Sequence, residues 1–261
     1  MSAEPRPLSQ QRRRVTGPPT SSNGASSFHL WWELPPSAPL VEVAAVLEVL
    51  TLPAVERLYF WALQARFTGG QEPGGAGHLG LQWNHRYPGH GAVNWGGYAP
   101  QSQGGGILQG SPSRLPSTRD DPNTRDYPWQ PRRPYRLRVY RSPHLSGAWR
   151  GEVTDLAAGE PTVVRDLYAR GTRLEAPLVW SEVFADCDAP SVTVRWSELQ
   201  AAAEEGTVVT PRALRVSYQR YENGGCDNTT VAVEPAAVLQ VTNARRAIAQ
   251  GATLQLSRSG G

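Results

Sequence analysis

The stretch Tyr135–Tyr140 reads YRLRVY. Tyr135, Leu137 and Val139 alternate with Arg136, Arg138 and Tyr140, so one set of side chains meets an apolar interior and the other meets water. A period of two marks a half-buried strand of an antiparallel sheet with one solvated face. Ser191–Trp196 repeats the pattern, with Val192, Val194 and Trp196 on one side and Thr193 and Arg195 on the other. Leu58–Leu63 is apolar on both parities, which places it centrally and covered on both faces.

On either side of these segments the chain is a series of short β-like runs divided by Gly, Pro, Asn and Asp. Before Tyr135 they are Phe28–Leu34, Leu40–Leu52, Arg57–Phe67, His78–Asn84 and Ala92–Tyr98. After Arg141 they are Trp149–Leu156, Thr162–Tyr168, Leu178–Ala185 and Ser191–Trp196, then Ala213–Gln219, Thr229–Val233, Val238–Thr242 and Thr253–Leu256. That many strands at such spacing, with no βαβ rhythm, predict an all-β antiparallel sandwich of the jelly-roll or lectin-like kind, residues 28–261 forming one domain. A single short helix is expected near 197–205, where Ser197 and Gln200 resemble a capping box, Ala201–Ala203 propagate and Gly206 can terminate.

Charge narrows the function classes. All 26 basic residues are Arg, against 23 acids. Residues 1–27 take four of the arginines and one acid, which leaves 22 of each for the rest of the chain. A nucleic-acid module carries its basic excess on the folded domain, so the neutral body excludes that partner. Residues 1–27, rich in Ser, Pro and Arg, are expected to be a disordered tail. Arg12–Arg14 is followed by Val15-Thr16-Gly17-Pro18-Pro19 rather than an apolar run. No export signal is therefore read, and the expected location is cytoplasmic unless the true start lies upstream. No run of 18 apolar residues is present to make a spanning helix.

Candidate sites gather at the loops. Residues 99–134 form a long gap with almost no apolar content, and such loops are functional or disordered. Within it Asp120, Asp121, Asn123 and Asp126 supply the hard oxygen donors that calcium accepts, although Asp-Pro-Asn is also ordinary turn chemistry. Trp83, Asn84, Asn94, Trp95, Tyr98, Arg125, Asp126, Tyr127 and Trp129 lie in or beside the loops that end the central strands. Rings there can stack on sugar faces while amides, carboxylates and guanidinium groups fork to hydroxyls; the alternative for Trp83 and Trp95 is burial in the core.

His78, His85 and His90 are close in sequence, but an extended strand would hold His78 and His85 about 23 Å apart. Glu182 shares a strand face with Trp180 and Phe184, where a carboxyl among aromatics would have a raised pKa and could act as a general acid. The alternative is an edge carboxylate paired with arginine. Cys187 and Cys226, the only cysteines, lie in Asp- and Gly-flanked loops where a disulfide is geometrically easy, with free thiols the alternative. Asn228-Thr229-Thr230 is a formal glycosylation acceptor. Serine-nucleophile, nucleotide and CxxC signatures are absent.

The strand text LYFWALQARF, GHLGLQWN, AVNWGGY, YRLRVYRS, WRGEVTDL and VWSEVFA, within residues 57–185, resembles lectin-like (concanavalin-type) β-sandwich domains of unknown function. The resemblance implies a jelly-roll fold and contact with glycans, and it maps no catalytic residue. The expected function is therefore non-catalytic binding of a carbohydrate or other polar ligand through the loop face, with calcium as the candidate cofactor. The first alternative is a sandwich-fold glycan hydrolase or lyase using Glu182 or the Asp120–Asp126 cluster. The second is a structural or protein-interaction domain.

Overall fold

The computed structural model describes residues 13–36, 38–71 and 74–256. Its strands run β1 (Ser26–Glu33), β2 (Leu40–Val49), β3 (Tyr59–Thr68), β4 (Ala76–Trp83), β5 (Gly91–Tyr98) and β6 (Thr124–Asp126). Then come β7 (Pro134–Arg141), β8 (Ala148–Asp155), β9 (Pro161–Tyr168), β10 (Arg173–Val183) and β11 (Thr193–Ala203). The series ends with β12 (Val208–Val209), β13 (Ala213–Tyr218), β14 (Thr230–Glu234), β15 (Ala237–Val241) and β16 (Thr253–Gln255). Every named pairing is antiparallel.

The pairings resolve into two layers. In the first, the order is β16-β13-β1-β10-β3-β4-β5-β6. In the second it is β14-β15-β11-β2-β7-β8-β9, with β12 added to the end of β11. One pair, Leu174 with Leu40, joins them. The apolar parity of each strand faces the other layer. Leu137 and Val139 from YRLRVY meet Trp61, Leu63, Leu81 and Trp149 in one core, as the alternation predicts.

A polar tie crosses this core. The Gln240 side chain, fully buried, accepts hydrogen bonds from Ser181 Oγ at 2.7 Å and Trp196 Nε1 at 2.9 Å and donates to the Phe28 carbonyl at 2.9 Å. Close packing is equally specific at Gly151, where an added Cβ would lie 2.5 Å from the Trp95 ring of the facing sheet. Gly151→Ala is expected to destabilise the fold by about 1–3 kcal/mol, the usual range for overpacking, measurable as a lower denaturant midpoint at unchanged m.

The arginines pair on the outer face of the second sheet. Arg138 grips Glu42 through two bonds of 2.8 and 2.6 Å, and Arg195 bridges Glu48 and Glu234 at 2.8 and 2.9 Å. Arg150 holds Asp166 with two bonds of 3.0 Å. These cross-strand pairs set opposite charges side by side on the solvated face.

Three expectations change. The helix near 197–205 is instead the second half of β11: pairing shifts between Ser197 and Gln200, with Glu198 left-handed at φ 47, and Leu199, Ala201 and Ala203 then turn inward. Two flanking strands satisfy its backbone groups better than one marginal helical turn would. Second, residues 13–27 are held against the domain. Arg14 N–H donates to Asp227 at 2.7 Å, Cys187 N–H to the Gly17 carbonyl at 2.7 Å, and Thr20 N–H to the Gly224 carbonyl at 3.0 Å. Residues 1–12 lie outside the described residues. Third, Leu58–Leu63 is central in its sheet but among the described residues has no second layer over it: Phe60 and Ala62 pack with Leu178 and Trp180 as a small separate cluster on the outer face. The disulfide is formed, Cys187 to Cys226, with Cα atoms 5.5 Å apart.

Candidate functional site

The outer face of the first sheet carries the side chains that alternation sends away from the core. Register aligns them in rows across the strands. One row runs Ser217, His29, Trp180, Ala62, Gly80 and Asn94, with the next row on one side containing Glu182, Phe60 and Gln82. The row on the other side contains Trp31, Leu178, Gln64 and His78. Ala62 and Gly80 leave the middle row low, and rings stand on both sides of it. Phe60 meets Trp180 edge-on with centroids 4.9 Å apart, His78 lies 5.7 Å from Phe60 and 5.8 Å from Trp180, and His29 lies 6.3 Å from Trp180. Exposed Tyr98 closes one end, 5.9 Å from His78.

This surface is unusually dry for an outer face. Phe60 and Trp180 are buried without any layer of described residues above them, and Trp180 Nε1 donates to Gln64 Oε1 at 3.0 Å. Burial lowers the pKa of both His29 and His78 to about 4, against a hydrogen bond at the Ser217 backbone that raises that of His29. Both imidazoles are therefore neutral near pH 7.

Glu182 stands at the head of this floor, opposite Phe60 on β3 and Ser27 on β1. Burial pushes its carboxyl above the usual carboxylate range, against hydrogen bonds that stabilise the ionised form. Asn23 Nδ2 donates to Oε1 at 2.8 Å, and Ser27 Oγ reaches the same oxygen at 3.5 Å. Asn23 is itself oriented by the Ala25 N–H, which donates to its Oδ1 at 3.2 Å. Oε2 accepts no hydrogen bond among the described residues. Asn23 and Ser27 also line a polar groove of about 600 Å³ whose rim carries the exposed Glu222. The expected arginine partner of Glu182 is not found among the described residues; the arginine-paired carboxylates belong largely to the opposite sheet.

The ring-and-amide set divides. Trp95 is 0% exposed and Trp129 7%, their ring N–H groups donating to the Trp149 and Gln82 carbonyls at 3.2 and 2.9 Å. Trp83 is half-buried and stacks on His90 at 4.3 Å. Tyr127 packs against Tyr135, and burial raises its pKa to about 12. Asn84 is buried, donating to Gln82 and accepting from the Arg86 N–H. Arg125 donates to the Asp121 carbonyl at 2.7 Å, from the inward parity of β6. Asn94, Tyr98 and Asp126 do share the outer face, but at its far side from Glu182.

In the calcium candidate, Asp121 Oδ1 accepts the Asn123 N–H at 2.8 Å, an Asx-type turn. Among the described residues no group of three or more His, Cys, Asp or Glu is placed to hold a metal. His90 binds Glu56 at 2.8 Å. Asn228 is buried, and its Nδ2 donates to the Val15 and Cys187 carbonyls, which occupies the atom a glycan would need.

Sequence reasoning missed Asn23 and Ser27, which sit in the segment expected to be disordered, and the roles of His29, His78 and Gln64. Strand parity could have found the last three, since each alternates with core residues of β1, β4 or β3. No family model matches the chain, and no curated protein does. Among solved structures, the chain is similar to SCP-B, described as a member of the eqolisin family of peptidases in complex with the tripeptide Ala-Ile-His. That match has a TM-score of 0.46 and 8% identity over 85% of this chain and 98% of that one. A Scytalido-glutamic peptidase with a peptide-based transition-state analogue matches at TM-score 0.47 and 9% identity, over the same shares. An alginate lyase complexed with alginate trisaccharide matches at TM-score 0.22 and 10% identity, over 64% of this chain and 86% of that one. The lectin-like resemblance reduces to its coarser content, an all-β sandwich. The expectation of a non-catalytic carbohydrate-binding protein is corrected, because the rings meant to stack on sugar, Trp95 and Trp129 above all, are structural parts of the core.

Proposed function

We propose that the protein is a sandwich-fold hydrolase, with Glu182 as general acid and the aromatic outer face of the first sheet as the bed for an extended polar substrate. The observation that carries the reading is the state of Glu182: a carboxyl raised by burial and bonded to Asn23, which lines an open groove, with its other oxygen accepting no hydrogen bond among the described residues. A protonated carboxyl so placed can give its proton to a leaving group and, once ionised, take one back from water. Exposed Glu222 on the rim of the same groove supplies a second carboxyl there.

The test is hydrolysis by the full chain of a panel of fluorogenic peptides and glycosides, compared with Glu182→Gln. Loss of about 10²- to 10⁴-fold in kcat is expected, the typical contribution of a positioned acid. Gln has nearly the same shape and removes a carboxyl whose ionised form is disfavoured by burial, so the variant should fold normally. Activity should fall as pH rises through the raised pKa of Glu182, because the acid form is then lost. An unchanged rate in Glu182→Gln, or no turnover across the panel, would overturn the reading.

A further inference from the structure

A second cavity lies away from Glu182, on elements that the proposed chemistry does not use. It has a volume of about 710 Å³, inside the range of small-molecule sites. The bulge of β11 and the start of β15 bound one side; Pro211 and Arg212, ahead of β13, and Leu256, just after β16, bound the other. Its floor is apolar, built from Trp196, Leu199, Val238 and Leu256. Trp196 and Val238 lie fully buried beneath this floor, the Trp196 ring N–H donating to Gln240, so the apolar side chains that reach its surface are those of Leu199 and Leu256.

The rim is charged on one side. Glu198 lines the cavity, and its carboxylate is held in an ion pair by Arg136. Arg212 lines it too, exposed, and its guanidinium makes no hydrogen bond or ion pair to the described residues. Its backbone is fixed from both directions: the Arg212 N–H donates to the Glu33 carbonyl at 3.0 Å, and its own carbonyl accepts the Leu256 N–H at 3.3 Å. The side chain therefore starts from a rigid point at the cavity mouth. Two walls are also made by residues in the left-handed region, Glu198 at φ 47 and Ala236 at φ 60. Such non-glycine conformations concentrate at ligand sites.

We propose that this cavity binds a small amphipathic carboxylate, its apolar body on the floor at Leu199 and Leu256 and its carboxylate on Arg212. With Glu198 neutralised by Arg136, Arg212 is the unmatched charge at the mouth, and guanidinium forks match carboxylates in two-point geometry.

The test is calorimetric titration of the full chain with octanoate, using 1-octanol as the uncharged probe of the same length, repeated on Arg212→Gln and on Thr210→Trp, which fills the rim. Saturable one-to-one octanoate binding is expected. It should weaken at least tenfold in Arg212→Gln while octanol binding stays unchanged, and Thr210→Trp should block both ligands. Octanoate that does not bind, binds equally to Arg212→Gln, or binds undiminished to Thr210→Trp would overturn the proposal. Both substituted residues are exposed, so both variants should melt near the parent temperature.

Discussion

Lowering the pH from 6.5 to 4 is expected to strip about 3 kcal/mol of stability from the fold through each of two histidines, His29 and His78. In the unfolded chain each imidazole takes up a proton near pH 6.5; in the folded chain burial holds both neutral until about 4. Between those values the unfolded state binds two more protons. Stability from this source is whole above pH 6.5 and is lost as pH falls toward 4, at about 1.4 kcal/mol per pH unit per histidine. Glu182 faces the same cluster and acts with the opposite sign. Its raised carboxyl binds a proton more readily folded than unfolded, so it offsets part of the loss on the acid side. Arg215 reaches over Trp31 from the neighbouring strand and carries its charge throughout. Urea midpoints at pH 7, 5.5 and 4.5 should fall steeply for the parent and much less for the His29→Phe/His78→Phe double variant, whose rings keep the packing. Parallel losses in the two proteins would show that other groups control acid stability.

The second large effect is expected at the disulfide. Opening Cys187–Cys226, which closes a loop of sequence separation 39, should cost about 4 kcal/mol by the chain-entropy relation. The damage should extend to the site. The Cys226 N–H donates to Ser26 Oγ at 2.8 Å and the Cys187 N–H to Gly17, so both ends of the bridge grip the amino-terminal arm that carries Asn23. A Cys187→Ser/Cys226→Ser variant is therefore expected to lose thermal stability and to show a lower Glu182 pKa in its activity profile, because solvent then reaches the carboxyl. A profile identical to that of the parent, alongside lowered stability, would separate the bridge from the site.

Much of the architecture was legible because alternation is a local signal. In YRLRVY the parity that is apolar in sequence is the parity that is buried, and the same holds for Val192, Val194 and Trp196. The two strands not anticipated, β6 and β12, are three and two residues long, too short to show a period. The false helix at 197–205 arose where a bulge breaks the alternation and local propensity is all that remains to read.

The site was half legible. Glu182 could be found because Trp180 and Glu182 share a strand parity. Its partners could not, since Asn23 is 159 residues away and lies in a segment whose composition mimics disorder. The opposite error befell Trp95: its place near a loop suggested exposure, but its parity with Val93 already assigned it to the interior.

The arm has a consequence for the order in which the molecule assembles. Residues 14–27 leave the ribosome early, yet they dock on Glu182, Cys187, Asp188, Gly224 and Asp227, all from the last third of the chain. An early segment is thus among the last to be placed, and it cannot settle until the turns bearing both cysteines stand side by side. In refolding, fluorescence of the core tryptophans should recover before protection of the Cys187 and Asp227 amides, which donate to the arm. The acid would acquire its working environment only when that final closure is complete.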